Sequence, residues 1–466
     1  MRELQWLEQW WGEWVPTKKA YSDELVALAF EHCLFPVIDQ RSVHEDVPII
    51  YVRGQGIELT DLAGNILLDM MGSHTRANSL GYGNREIAQA VFDQMSTVHY
   101  VGTTSHFAEP TIRLAATLSE LTPGALKRVT FTSGGSESVE TALKLAKQYQ
   151  RESGNKPRAY KTISRWNAYH GASMGALSVT DWLPVREVFE PRVPGHSFIP
   201  NPTRYRNPFG MEEEPYFELC ATYLEREIEL QGPDTVAAFI GEPIMQANGV
   251  QVPSRRYWER VREICSKHGV LLIADEVITG FGRTGAWFAS EHFGLQPDIM
   301  TMAKALSAGY APIGAVITTD AIADAIPMLR HVHTFSGHAS AAAAAGAAIG
   351  IKRRERLVEA SRDNGAYFGS ELSAALAHHP IVGQVRGIGM WHCVDFTADR
   401  ATKAKFEDDT VSAIVERMRR HGVLACRIGT ALEMAPPLIT TRAQLDIAVE
   451  VCARSVDEIV RERQIT

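Results

Sequence analysis

The chain has 466 residues, 45% of them hydrophobic and 22% charged, which is ordinary globular composition. That length exceeds the size at which single cores stop growing, so one large domain plus a smaller one is expected. A formal net charge of −8 without a basic block excludes a phosphate backbone as a natural partner.

Elements follow in chain order. Met1–Trp10 carries charges where a secretory signal needs an apolar core, and no uncharged apolar stretch is long enough to span a bilayer. A cytoplasmic, soluble protein is therefore expected, with no membrane partner. The cluster Trp6, Trp10, Trp11 and Trp14 fits an arm packed on a partner or on the chain's own core better than a membrane-surface helix. Residues 1–70 mix a helical arm with strand signals near Pro48–Val52 and Ile66–Met70. From about residue 75 strands and helices alternate, with strands at Val129–Thr132, Thr162–Arg165, Ala237–Glu242, Leu271–Glu276, Ile299–Ala303 and Gly314–Thr319. Such alternation predicts an α/β domain, a mostly parallel sheet covered by helices.

Six prolines between Pro191 and Pro215 predict a long functional, interface or disordered loop, and Glu212–Glu214 within it a solvated face. Ala341–Ala348 predicts a helix packed closely against another backbone. After 335 the texture changes to a helix at Lys405–Arg420, strands near Gly422–Arg427 and Ala431–Ala435, and a long helix at Arg442–Arg463. The expected division is an arm and part of a small domain over 1–74, a large domain over 75–335, and the rest of the small α+β domain over 336–466. Six scattered cysteines without a C-x-x-C pair argue against a zinc site and a disulfide framework.

The run Leu271–Glu276 reads as a strand buried on both faces, and Asp275 lies at its C-terminal end, where open α/β sheets place ligands. Lys304 follows the next strand in a small-residue context, Met302–Gly309. A carboxylate there can pair with a cationic heterocycle and a lysine can form an imine with an aldehyde. Those are the two demands of pyridoxal 5′-phosphate (PLP). A structural Asp–Lys ion pair is the alternative.

Phe131–Ser138 runs off a strand into a helix whose buried face is Val139, Ala142, Leu143 and Ala146. Gly134 and Gly135 permit close approach, and Ser133, Ser136 and the first helical N–H groups then face an anion. A serine cap after a glycine turn is the plainer alternative. Tyr169 and His170 follow another strand, where an aromatic ring can stack on a planar cofactor or simply join the core. Gly280–Gly285 matches G-x-G-x-x-G, but its strand ends at Glu276, a weak helix follows, and Asp298 is a poor ribose ligand, so no dinucleotide site is expected. His331, His333 and His338 do not share a helical face with an acid, and no metal is expected.

Together, Ser133–Glu140, Tyr169–Gly171, Asp275–Gly285, Lys304–Gly314 and His333–His338 resemble, in order, the motifs of class III (subgroup II) aminotransferases of PLP fold type I. The resemblance covers about residues 45–460. It implies a large PLP domain, a small domain from both termini, and a homodimer with active sites at the interface. It implies that Lys304 bonds to the cofactor and moves the proton, and that Asp275 pairs with the pyridine nitrogen. Tyr169 and Val277 would flank the ring. Gly135 and Ser136 would hold the phosphate from one subunit, Ser133, Gly134 and His170 would also bind the cofactor, and Thr334 would reach the phosphate of the other. Glu242 resembles the family's acid beside the cofactor.

Departures narrow the branch. Ile278 stands where ornithine- and GABA-type members usually have glutamine, and Ala247 marks a region where they tend to carry an acid. The pattern is more similar to the ω-amino acid and amine:pyruvate transaminases. In that branch a mobile arginine ahead of a Pro-Pro pair binds the acceptor's carboxylate. Arg427 ahead of Pro436-Pro437 fits, with a surface arginine as the alternative. Relatives often place a tryptophan within the stretch matching Gly72–Gly81. His74, Thr75 and Arg76 make it polar here, so a donor with polar or anionic groups is expected, with Arg76 as its contact. The expected reaction moves an amino group from a primary amine or ω-amino acid to an oxoacid, pyruvate foremost. Alternatives are a racemase, aminomutase or decarboxylating enzyme on this scaffold, a nicotinamide oxidoreductase using Gly280–Gly285, or a non-catalytic binding module.

Overall fold

The structure, a computed structural model, describes residues 18–37, 49–102, 104–247 and 249–465. The tryptophan cluster lies outside the described residues. Near the N-terminus β1 (Tyr51–Gln55), β2 (Glu58–Asp61) and β3 (Ile66–Asp69) form an antiparallel meander. The large sheet contains β4 (Leu126–Thr132), β5 (Lys161–Arg165), β6 (His196–Ile199), β7 (Val236–Gly241), β8 (Leu271–Asp275), β9 (Ile299–Met302) and β10 (Gly314–Thr319). Its order is β4-β10-β9-β8-β7-β5-β6. The pairs from β6 through β9 are parallel, whereas β10 runs antiparallel to both β4 and β9.

Every residue of β7, β8 and β9 is buried, as the continuous apolar runs require of strands covered on both faces. Alternation along β8 divides its side chains between two cores. Leu272 and Ala274 meet Trp258, Val261 and Ile264 of the helix Arg255–Lys267, while Leu271 and Ile273 meet Val139, Leu143 and Ala146 of the helix Gly135–Glu152. At about 1.5–3 kcal/mol per fully buried aliphatic side chain, these layers fix the strand ends on which the site is built.

The proline-rich segment is not wholly irregular. Within it β6 adds an edge strand parallel to β5, its four residues framed by prolines that cannot continue a ladder. The alanine run belongs to the helix Ala339–Arg354. Ala341, Ala342 and Ala345 enter one core and Ala344 and Ala348 another, so small side chains let it lie close to its neighbours on two sides.

The C-terminal part forms an antiparallel sheet of β11 (Val382–Gly387), β12 (His392–Phe396), β15 (Ala431–Met434) and β14 (Cys426–Ile428) in that order. β13 (Val423–Leu424) instead pairs parallel with β3, which ties the two ends of the chain together. The helix expected from Lys405 begins at Thr410: Asp408 accepts from Thr410 N and Oγ1, and the Ala398–Ala404 bond holds the preceding residues in a loop. The last helix spans Arg442–Arg463, opened by a reciprocal Thr441–Gln444 cap and closed by Gln464 in the left-handed region. Among the described residues no helix is long and apolar enough to cross a membrane.

Candidate active site

At the C-terminal edge of the large sheet a cavity is lined by Gly135, Ser136, Tyr169, His170, Gly171, Glu242, Ile244, Gln246, Asp275, Val277, Ile278, Thr279 and Lys304. Four strands deliver its chemistry: Glu242 follows β7, Asp275 ends β8, Lys304 follows β9, and Tyr169 and His170 follow β5.

Asp275 is 4% exposed and rigidly held. Its Oδ1 accepts from Thr301 Oγ1 at 3.0 Å and Val277 N at 3.1 Å, and Oδ2 lies 2.6 Å from His170 Nδ1. His170 stands between two acids, its Nε2 being 3.7 Å from Glu242 Oε2. Glu242 is fixed in turn by Arg165 Nη2 at 3.0 Å and by Tyr169 N, which donates to Oε1 at 3.2 Å. Lys304 sits in a tight turn at φ 48°, a strained conformation for a residue with a side chain. Burial and the nearby Arg76 guanidinium lower its pKa to about 8, against the opposing pull of Asp275, Glu433 and Glu242. A neutral amine close to physiological pH is a nucleophile.

The floor near the helix Gly135–Glu152 is shaped for a flat or anionic group. A Cβ on Gly135 would meet Val277 Cγ1 at 2.9 Å. Gly171, at φ 123°, lies so close that a Cβ there would meet Ser136 Cβ at 3.0 Å. Ser136 Oγ accepts from Ala172 N at 3.1 Å, which ties the helix start to the strand exit that carries Tyr169. The helix end adds unpaired N–H groups and a favourable dipole for an anion. A carboxylate, a lysine and an anion cradle around one cavity suit the donor set of a phosphorylated pyridine aldehyde.

The expected residues are not all brought together. Gly135, Ser136, Tyr169, His170, Glu242, Asp275, Val277 and Lys304 line the cavity. Ser133 and Gly134 lie just outside its lining, the Ser133 amide donating to Glu137 Oε2 at 2.8 Å. Thr334 is exposed on the 331–338 loop, and its carbonyl accepts from Tyr100 Oη at 2.6 Å. Arg427 is exposed and turned to the helix Thr410–Arg420, donating to Ser412 Oγ at 2.7 Å and Gly429 O at 2.9 Å.

Arg76 is buried behind the cavity wall. It donates from Nε to Glu433 Oε1 at 2.8 Å and from Nη2 to Oε2 at 2.5 Å, and Trp391 Nε1 reaches the same Oε1 at 2.6 Å. A loop in which Gly72, Ser73, His74 and Arg76 all have positive φ puts it there. Asp69 stabilises that loop by accepting from Met71 N and Ser73 N. Sequence reasoning missed Glu433, far along the chain, and assigned no role to Gln246, although it stands within Glu242–Gly249, a stretch that resembles the ω-amino acid transaminases.

Gly280–Gly285 serves packing, since a Cβ on Gly285 would meet Arg362 Cα at 2.8 Å and one on Gly282 would meet Leu438 Cδ1 at 2.9 Å. His331 lies against Lys144 and Thr141 of the helix Gly135–Glu152. Among the described residues no group of His, Cys, Asp and Glu is placed to hold a metal ion.

Fold and site together define a PLP fold type I transaminase architecture. The chain belongs to the class III aminotransferases, whose family model matches residues 40–456. It is 34% identical over 444 residues to putrescine–pyruvate aminotransferase of Pseudomonas aeruginosa, covering 94% of this chain and 97% of that protein. It is 35% identical over 444 residues to taurine–pyruvate aminotransferase of Bilophila wadsworthia, covering 91% and 94%. Among solved structures, the ω-transaminase of Pseudomonas jessenii in complex with PMP superposes with a TM-score of 0.91 at 35% identity, covering 94% of this chain and 98% of that one. The protein is an aminotransferase, and its class uses PLP.

Proposed function

We propose that this enzyme transfers an amino group from a primary amine or ω-amino acid to an oxoacid, with pyruvate as principal acceptor. The observation that carries the reading is the placing of Asp275 and Lys304 at the ends of adjacent strands, both facing one cavity beside a helix start. The named activities of the Pseudomonas and Bilophila relatives, both pyruvate-dependent, support the acceptor.

In this reading residues 75–335 hold the cofactor and the two ends of the chain form the smaller body. PLP supplies an electrophilic aldehyde carbon and an electron-accepting ring. Lys304 would hold that carbon covalently and, once displaced by the donor's amine, its Nζ would carry the proton away from the substrate carbon and return it. Asp275, fixed by Thr301, Val277 and His170, would keep the ring nitrogen protonated. Tyr169 and Val277 would hold the ring, Gly135 and Ser136 its phosphate, and Glu242 would fix the Tyr169 backbone.

A homodimer would complete the site, Thr334 reaching the phosphate of a second copy. The neighbouring Val332 and Phe335, each 59% exposed, supply an apolar surface for that contact. Arg427 stays outside this reading, because reaching the cavity would require releasing both Ser412 and the Gly429 carbonyl.

The test is purified holoenzyme with pyruvate and a donor panel of diamines, amino alcohols, taurine, β-amino acids and long-chain amines, reading out alanine. Lys304→Ala should abolish turnover and the visible absorbance of the covalently held cofactor. Turnover retained by that variant, or racemisation without alanine formation, would overturn the reading.

A further inference from the structure

Gln246 is a polar side chain on the cavity wall to which neither the family motifs nor the reaction assigns a role. Its carboxamide oxygen accepts from Arg76 Nη2 at 2.8 Å and Nη1 at 3.1 Å, the orientation that satisfies both ends of the amide. Arg76 is itself locked by Glu433, and Glu433 by Trp391. These four side chains form a hydrogen-bonded series running from the small domain to the cavity, and each fixes the next. With its oxygen committed to Arg76, the amide turns its N–H end, not its oxygen, toward acceptors along the cavity wall.

We propose that Gln246 is a specificity-determining residue whose N–H donors read the oxygen-bearing end of the substrate: the carboxylate of the oxoacid acceptor, and the carboxylate or sulfonate of an ω-amino donor. The inference rests on the aminotransferase reading and adds to it the substrate class. Arg76 does not make this contact itself. Its charge is already neutralised by a buried bidentate partner, and moving it would strand Glu433, whose side chain is fully buried. A neutral donor with an arginine behind it binds an oxyanion well and a distal ammonium badly, because donor would face donor. Diamines are thus the disfavoured donors, and β-alanine- or taurine-like compounds the favoured ones.

The experiment compares wild-type holoenzyme with Gln246→Met, which keeps the length of the chain and removes the donors, and with Gln246→Ala. Three ratios are read: kcat/KM for pyruvate over butanal with one amine donor, kcat/KM for β-alanine over butylamine with one acceptor, and calorimetric affinity for propionate over 1-propanol. Each should fall by about 10-fold or more in both variants, the usual penalty for deleting a donor to a charged oxygen. Unchanged ratios, or equal losses for the charged and neutral partner, overturn the inference. A fall confined to the acceptor and propionate arms overturns its donor half. If the variants do not fold, wild-type enzyme that binds 1-propanol as well as propionate overturns it alone. Wild type that makes no alanine from any donor sinks the aminotransferase reading instead, while the propionate arm still reports on Gln246.

Discussion

The Arg76–Glu433 pair offers the most exacting test of how this site is built. Its side chains are 8% and 0% exposed and meet through two hydrogen bonds of 2.8 and 2.5 Å, so neither charge has water to fall back on. Removing one partner of such a pair costs about 3–5 kcal/mol, because the other stays buried without a counter-charge, whereas removing both restores much of the loss. Arg76→Met and Glu433→Gln, the latter keeping an acceptor for the Trp391 indole, should each destabilise strongly. The double variant should lie well above their sum, with a coupling of about 2 kcal/mol or more. Urea unfolding of the apoenzyme, followed by two probes to check that the transition is cooperative, measures this.

The same variants carry an electrostatic signature. Arg76 lowers the Lys304 pKa and Glu433 raises it, about a resting value near 8. Cofactor uptake by apoenzyme needs the neutral amine, so its rate should rise with pH through about 8 in the wild type. The profile should move to higher pH in Arg76→Met and to lower pH in Glu433→Gln. Stability effects that add within about 0.5 kcal/mol, or profiles that move in the same direction, would refute this account of the wall behind the cavity.

Two further outcomes are expected. Lys352 is completely buried, donates to Ala305 O at 2.5 Å next to Lys304, and has its pKa pushed down to about 7 by burial and by Arg283. The unfolded chain then binds more protons than the native one above about pH 7. That part of the stability is absent below pH 7 and grows toward the unfolded value of about 10.4. Between pH 7 and 9 the wild type should gain about 2 kcal/mol more than Lys352→Met, measured by urea midpoints, and equal gains in both would discard the linkage. Gly135→Ala places a methyl 2.9 Å from Val277 Cγ1 on the cavity floor. Overpacking of about 1–3 kcal/mol should weaken PLP binding about 10-fold or more in a spectroscopic titration, and an unchanged affinity would mean that the floor is not where the cofactor lies.

Much of the seven-stranded sheet was legible because its strands are short apolar runs punctuated by glycine and proline, a pattern that burial on both faces enforces. The strand β6 was hidden because His196–Ile199 is brief and carries two polar residues among prolines. β11 and β12 were hidden for a related reason: Val382–Gly387 holds two glycines and an arginine, and His392–Phe396 a histidine and an aspartate. The reversal of β10 has no local signature at all, since direction is set by the connection and not by the strand's composition. At the site, Asp275, Lys304 and Gly135, which line one cavity, could be picked out because each stands where a strand ends or a helix starts. Arg76 stood out as an unusual charge, but its role depends on Glu433, 357 residues away, and on a loop of left-handed residues that its composition does not announce. Gln246 escaped because a lone amide acquires meaning only from what holds its oxygen.

Glu433, which steadies Arg76, belongs to β15 of the smaller sheet, whereas Lys304 hangs from the end of β9 in the larger one. The Lys304 amine and the acid that pulls its pKa upward are thus mounted on separate platforms, like the two jaws of a caliper. How those platforms are bolted together sets the separation between that amine and the charge pair behind the cavity. Substitutions in the packing between them, remote from any bound molecule, should retune the amine's proton affinity while leaving both charged residues in place.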